Sequence, residues 1–396
     1  MSTASPVHVG TGQVYDSFEY HLQQGTLIRV DTASMFDLVP EADRGKIIED
    51  PRQLKGYLPR ARPRYRLPIK CGRVPGPAEK IRECIKTPGL DPYIPGSTFK
   101  GAIRTALLWK VVSSSVGKVT LSIDRSRPFL VNVFETITDG NIVPDTGDRL
   151  FGIQPDTRFF RPKQADNMLE NIVFGTGSWK DARRLSGAMD AQRDLLKFVI
   201  VSDFMPGNEK ALALDKTVTR SMRGATYEVK PDISSWVEVA TGTFAGSLSL
   251  SPQLPAALKD AREYPVLEDR LRVIGLGRDD MRDPVAAERK MADHVLRACK
   301  EFADKVVQHE KAELGAAIAH PREAGVRVGF GVGTLYQTVM MLLERQAPEL
   351  AVSIANRISR PPRRLRGSKI DPVYPKTYET LEGHGVSAGW LVAARA

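Results

Sequence analysis

The sequence predicts an α+β fold with a ferredoxin-like core, and three observations carry that expectation. Strand-like and helix-like stretches follow one another irregularly, with hairpins among them, rather than in the strict alternation of a doubly wound sheet. The main stretches fall in the order strand, helix, strand, strand, helix, strand, which is the ferredoxin-like order. No segment recurs at a fixed period, which sets solenoids and propellers aside. The 396 residues suffice for one large core or two ordinary ones. One core with long insertions and two tandem copies both fit. Tandem copies would divide the chain into an N-terminal region 1–190 and a C-terminal region 191–396.

The elements follow from local pattern. "SPVHVGTG" (5–12) reads as a short strand that breaks at Gly10 and Gly12. "FEYHLQQGTLIRVD" (18–31) gives two strand-like runs around Gln24-Gly25, a hairpin signal. "TASMFDLVP" (32–40) offers one short helix, capped by Thr32 and ended by Pro40. Residues 51–77 hold six prolines, and from Arg52 to Arg73 run eight basic residues and no acidic one. That composition predicts a loop or an extended arm. In "YIPGSTFKGAIRTALL" (93–108), Pro95-Gly96 makes a turn and Ser97 or Thr98 caps a helix over about 98–112. Phe99, Ile103, Ala106 and Leu107 then share its buried face.

Further on, "KVTLSI" (118–123) and "FLVNVFETI" (129–137) are strand candidates. "LLKFVIVSDF" (195–204) reads as a buried strand, and "SSWVEVATGTFAGSLSLS" (234–251) as two strands around Gly242. Residues 283–314 form the longest helical pattern, with Pro284 in the first turn and an apolar stripe from Ala292 to Val306. "VRVGFGVGTLYQTVMMLL" (326–343) is strand, glycine loop, helix. "GWLVAARA" supplies a last strand.

The chain carries 57 Lys and Arg against 47 Asp and Glu, a net charge of +10 and a pI near 9.4, which favours a polyanionic partner. Cys71, Cys84 and Cys299 are widely spaced and form no CxxC pair, so neither a zinc ribbon nor a disulfide framework is implied. The opening MSTASPVHVG lacks the features of a signal peptide, and no apolar run approaches the ~20 residues of a membrane span. A cytoplasmic protein without a membrane partner is the expectation.

Two glycine-bearing bends carry the functional signal. The helix start at Gly96, Ser97 and Thr98 offers free backbone N–H groups and a favourable dipole end, with Lys100 and Arg104 as nearby cations. Gly96 and Gly101 have P-loop spacing, but Ala102 and Ile103 stand where lysine and a hydroxyl residue would be required. A nucleoside triphosphate is thereby disfavoured. The second bend, Gly329-Phe330-Gly331-Val332-Gly333-Thr334, joins a strand to a helix and exposes consecutive N–H groups. Thr334 stands where a dinucleotide fingerprint needs glycine. Two such bends in a basic chain, with Arg60, Arg62, Arg64 and Arg66 in the proline-rich segment, point to a nucleic-acid backbone.

These residues together resemble the RAMP superfamily of CRISPR-associated proteins, in particular the type III-A family that forms the end subunit of the Csm effector complex. The resemblance runs through "PVHVGTG", the hairpin, "YIPGSTFKGAIRTALL", "VIVSDF", "WVEVATGTFAGSLSL", "GFGVGT" and "GHGVSAGWL", in that order. "PKTYET" (375–380) departs from the threonine-arginine-arginine run expected before the final glycine-tryptophan, although basic residues stand upstream from Arg357 to Lys369. The resemblance implies a ferredoxin-like (RRM-like) core, no cofactor and no metal. It further implies a non-catalytic place at the 3′ end of the guide RNA, capping a filament of backbone RAMP subunits. Target RNA and trimming nucleases are further implied partners, in guide maturation and antiviral interference.

The rival reading is a RAMP endoribonuclease acting on guide precursor or target RNA. His8 at the end of the first strand and His21 in the hairpin are its acid–base candidates, and Asp16 its loop carboxylate. Asp203 and Glu238 read better as residues that hold loops or pair with cations.

Overall fold

The structure, a computed structural model, describes residues 1–77, 79–114, 167–177, 190–223, 226–230, 233–315, 318–338, 341–342 and 377–394. The candidates "KVTLSI" and "FLVNVFETI" and the basic stretch Arg357 to Lys369 lie outside them.

A nine-stranded sheet organises the molecule. In chain order its strands are β1 (Ser2–Thr3), β2 (Gly10–Tyr15), β3 (Ile81–Cys84), β4 (Met205–Arg223), β5 (Thr226–Lys230), β6 (Trp236–Ala245), β7 (Val326–Arg327), β8 (Thr377–Leu381) and β9 (Trp390–Val392). β6 is the spine. One edge pairs antiparallel with β4 along its length, from Trp236↔Lys216 to Ala245↔Met205. The other edge holds β3 in parallel at its start, Val7 opposite Ala240 in the middle, and β1 at its end. β2 lies beyond β3, and β9 and then β7 lie beyond β1. The far half of β4 carries β5 and β8.

The α+β class is as expected, and the order strand, helix, strand, strand, helix, strand is realised by β3, α1 (Gly96–Ser114), β4, β6, α3 (Pro284–Leu314) and β7. α2 (Asn167–Phe174) and α4 (Gly333–Gln337) are the other helices that bear on the site. In the simplest ferredoxin-like sheet the last strand returns beside the first. Here β2 occupies that flank of β3, and β7 sits on the arm beyond β1 and β9.

α1 and α3 bury their apolar stripes in one continuous core. Phe99, Ile103, Ala106 and Leu107 are all within 1% of full burial, as the spacing required. Trp109 meets Phe302 at 5.4 Å, Phe302 stacks on Tyr336 at 4.9 Å, and Tyr336 meets Trp390 edge-on at 5.6 Å. That chain of rings fixes α1, α3, α4 and β9 against one another. Asp283 caps α3 by accepting from the Val285 and Ala286 N–H groups, with Pro284 just inside the helix.

A three-stranded antiparallel sheet, Tyr20–Gln23, Thr26–Val30 and Pro63–Pro68, packs beside this core. Its hairpin turns at Gln24 and Gly25, both at positive φ, as a two-residue turn of the I′ kind demands. The segment expected as a loop or arm is therefore structured. Residues 51–60 form a 3₁₀ helix and 63–68 a strand. Leu54, Leu58 and Leu67 are buried while Arg60, Arg62, Arg64 and Arg66 stay outside. Alternation along the chain, which net composition hides, made that possible.

Three smaller expectations are corrected. Asp31, one residue earlier than Thr32, caps the helix Thr32–Asp37. The run 195–204 begins as a 3₁₀ turn, Leu195–Phe198, because the Asp194 carboxylate takes the Leu196 N–H; only Val199–Val201 is strand. Gly242 does not separate two strands. It sits inside β6 at φ 130°, where the register shifts, and the break comes at Gly246 and Ser247.

Candidate nucleic-acid interface

The glycine loop is built by its attachment points. Gly329, Gly331 and Gly333 have φ of 85°, 78° and 72°, a left-handed conformation that glycine adopts without strain. The expected strand at 5–12 is instead a connector, bridged at Val7, that leads into β2 at Gly10. Gly329 is held so close to this connector that a Cβ would run into the His8 carbonyl oxygen, while the Phe330 N–H donates to that same oxygen at 2.8 Å. Arg327, buried in β7, fixes the other side. Its guanidinium donates to the Gly331 carbonyl at 3.1 Å and the Ala388 carbonyl at 2.9 Å, and it pairs with Glu310 at 2.6 Å.

This loop faces one side of α1 across a cleft of about 520 Å³. The α1 wall is made of small residues one turn apart, Thr98, Gly101, Ala102 and Thr105. A Cβ built on Gly101 would meet nothing within 4 Å. His8, Gly10, Gly12 and Gln13 form the third side with Arg82 and Glu83 of β3. Arg82 lies over the Phe330 ring, 5.1 Å from its centroid, and His8 meets the same ring edge-on at 5.8 Å. Arg82 is exposed and forms no ion pair with the described residues. Glu379 of β8 lies behind Gly331; burial pushes its carboxyl up, and Arg82 and Arg327 pull it partly back.

The two expected bends thus meet at one cleft, but not through the residues expected at the helix start. Gly96 packs against the backbone of Val201 and Ser202, and its N–H donates to the Asp203 carboxylate at 2.8 Å. A carboxylate of the chain itself therefore caps α1. Arg104 is taken up by Asp194 and Glu170 and lies over the Phe174 ring at 4.8 Å. Lys100, on the same side of α1, is pushed down by burial. Ser97 is exposed at the helix start, and Thr98 alone of this group lines the cleft. Gly333 and Thr334 open α4.

On the three-stranded sheet, Arg62 pairs with Asp31 at 2.5 Å and Arg60 lies 6.0 Å from the Tyr57 centroid. Arg64 and Arg66 alternate on one exposed face and form no ion pair with the described residues.

The acid–base candidates are dispersed. His8 is buried, donates through Nδ1 to the Glu238 carbonyl at 2.6 Å, and is pushed down by burial to about 4. His21 sits on the hairpin opposite Ile28, and Asp16 faces Lys80 at 3.4 Å. Sequence reasoning found no histidine, tyrosine and lysine set, yet folding assembles one around Glu238. The fully buried carboxylate accepts from Tyr15 at 3.1 Å, Tyr65 at 2.7 Å, the Cys84 N–H at 2.8 Å and Lys86. Both Glu238 oxygens and the tyrosine hydroxyls are thus engaged within the fold, while His8 also lines the cleft. Asp203 accordingly caps α1 through the Gly96 N–H, and Glu238 pairs with Lys86 rather than with an arginine. Among the described residues, no group of three His, Cys, Asp or Glu is placed to hold a metal ion, and no helix is long and apolar enough to cross a membrane.

The RAMP superfamily profile matches residues 1–319, and the chain belongs to that superfamily. No curated protein matches the chain. Two solved structures are similar over almost its whole length. One is a chain of a structure described as the cryo-EM structure of a Csm–crRNA–target RNA ternary complex in a type III-A CRISPR-Cas system. It is 23% identical with a TM-score of 0.67, covering 98% of this chain and 97% of that one. The other is the crystal structure of T. onnurineus Csm5, 24% identical with a TM-score of 0.60, covering 98% of each chain. At these identities the shared property is the fold.

Proposed function

We propose that this protein is an RNA-binding subunit of a type III-A Csm effector complex. In this reading it occupies the end position, holds the guide RNA backbone near its 3′ end, and caps the filament of repeated backbone subunits. Membership of the RAMP superfamily and the fold shared with Csm proteins support the setting. The cleft supports the role. Its glycine loop and small-residue helix face let a sugar-phosphate strand approach closely, and Arg82 adds an exposed charge that forms no ion pair with the described residues. Arg64 and Arg66 extend the contact along the exposed sheet. Such contacts hold phosphates and leave bases free for pairing, as guides of varied sequence require.

The subunit acts without chemistry of its own in this reading, supporting guide maturation while trimming nucleases cut in trans. His8, neutral at physiological pH and bonded to a backbone carbonyl, is a poor general acid. The test uses purified full-length chain with end-labelled guide and precursor RNAs. Binding should be tight, salt-dependent and nearly equal across sequences, with no cleavage with or without divalent metal. In reconstituted complex, photo-crosslinks should fall at the guide 3′ end. Cleavage lost in His8→Ala or His21→Ala would establish the endoribonuclease instead. Crosslinks confined to the 5′ end would remove the end-capping role.

A further inference from the structure

We propose that the cleft takes one unstacked nucleotide of the bound RNA, its base lying on the Arg82–Phe330 pair and its phosphate at the glycine loop. This rests on the RNA-binding reading and adds a base to a site argued so far from backbone contacts alone.

Size is the first observation. About 520 Å³ is within the ~300–1,000 Å³ usual for small-molecule sites, room for one nucleotide with its base rather than a run of several. The composition of the walls is the second. A site for phosphate alone needs only N–H groups and cations, yet here a half-buried aromatic ring faces the cavity. Phe330 packs against the buried cluster of Ala213, Val237, Val239, Leu381 and Ala388, which holds the ring in place. Arg82 covers its front at 5.1 Å with a planar group that is itself a stacking surface for bases. The emptiness of the opposite wall is the third. α1 presents Gly101 where its periodicity would allow any side chain, and the space a Cβ would enter there is vacant. Thr98 and Thr105 flank that space with hydroxyls; that of Thr105 donates back to the Gly101 carbonyl at 3.3 Å and keeps its lone pairs for a donor on a base or ribose.

The arrangement is sequence-tolerant because every base has a π-face. It therefore agrees with a guide whose letters vary, while fixing which nucleotide leaves the stack.

The experiment places 2-aminopurine at successive positions of a guide RNA bound to the full chain, or to the reconstituted complex, and reads fluorescence and affinity. One position should respond. An abasic nucleotide there should weaken binding about 10-fold or more, whereas abasic sites elsewhere should not. Phe330→Leu should abolish the response with the fold retained. Arg82→Lys keeps the charge but removes the plane, and should lose the response while keeping most of the salt dependence. If RNA binds with full affinity but no position responds, or the abasic guide binds equally well, the nucleotide site is wrong and the backbone-binding reading survives. Failure of the chain and its complex to bind RNA at all overturns both.

Discussion

Arg327 and Glu310 meet as a buried ion pair at 2.6 Å, both side chains 3% exposed, and the same guanidinium holds the carbonyl of Gly331. The glycine loop is thereby fixed from beneath by a buried residue that also lines the cleft. Breaking such a pair leaves one charge buried alone, which costs about 3–5 kcal/mol. Arg327→Met should lower the denaturation free energy by that order in urea unfolding. The double change Arg327→Met with Glu310→Leu should recover part of it. Recovery of stability without recovery of RNA affinity would mark Arg327 as the residue that sets the loop's geometry.

Arg104 is expected to act on stability rather than on ligand. Its partners Asp194 and Glu170 tie α1 to α2 and to the 3₁₀ turn that follows. Arg104→Ala should lower the melting temperature by several degrees in calorimetry. Its salt slope for RNA should stay within error of the parent.

Arg64 and Arg66 should behave oppositely. Each replacement by alanine removes an exposed charge with no intramolecular ion pair among the described residues. Affinity measured against salt should fall uniformly across guide sequences, and the slope of log K against log salt should shrink by about 0.7–1 per residue. A strong dependence of the loss on base identity would contradict backbone recognition.

His8 supplies a pH prediction. Its folded value is about 4, against 6.5 for an unperturbed imidazole. Between those values the unfolded chain binds a proton that the folded chain refuses. Stability is thus fully present above pH 6.5 and declines as pH falls toward 4, by about 3 kcal/mol in all. In His8→Gln that part of the decline should vanish from urea titrations taken across the window. NMR titration of the imidazole checks the folded value directly.

Gly101 offers a separation of stability from function. In mid-helix, with empty space before it, Gly101→Ala should stabilise by up to about 1 kcal/mol. Gly101→Leu should keep the fold but fill the cleft and reduce RNA affinity. Equal affinity of the leucine variant and the parent would show that the ligand passes elsewhere.

Much of this was legible in the chain, for physical reasons that differ from place to place. The stripes of α1 and α3 repeat at helical spacing, and Gln24-Gly25 can turn only one way, so these elements follow from local sequence. The glycine loop was legible because few other residues tolerate its backbone. Arg82 was not, since a lone arginine in a four-residue strand carries no local mark; only the pairing of β3 with β6 brings it to the glycine loop. Glu238 and its partners Tyr15 and Tyr65 lie 223 and 173 residues apart in sequence, so no window contains the network. The helix-start anion seat was a local inference overruled by a distant group, Asp203, which takes up the Gly96 amide first. In 51–77 the count of prolines and arginines masked the alternation that buries Leu67.

The Glu238 carboxylate joins Tyr15 and Cys84, on the strands that wall the cleft, to Tyr65, which stands between Arg64 and Arg66. One side chain at the heart of the sheet consequently acts as a calliper. The separation between the aromatic seat and the outer arginines is set by covalent lengths and short hydrogen bonds. Any strand gripped at both places must therefore bridge one invariant span, whatever its letters.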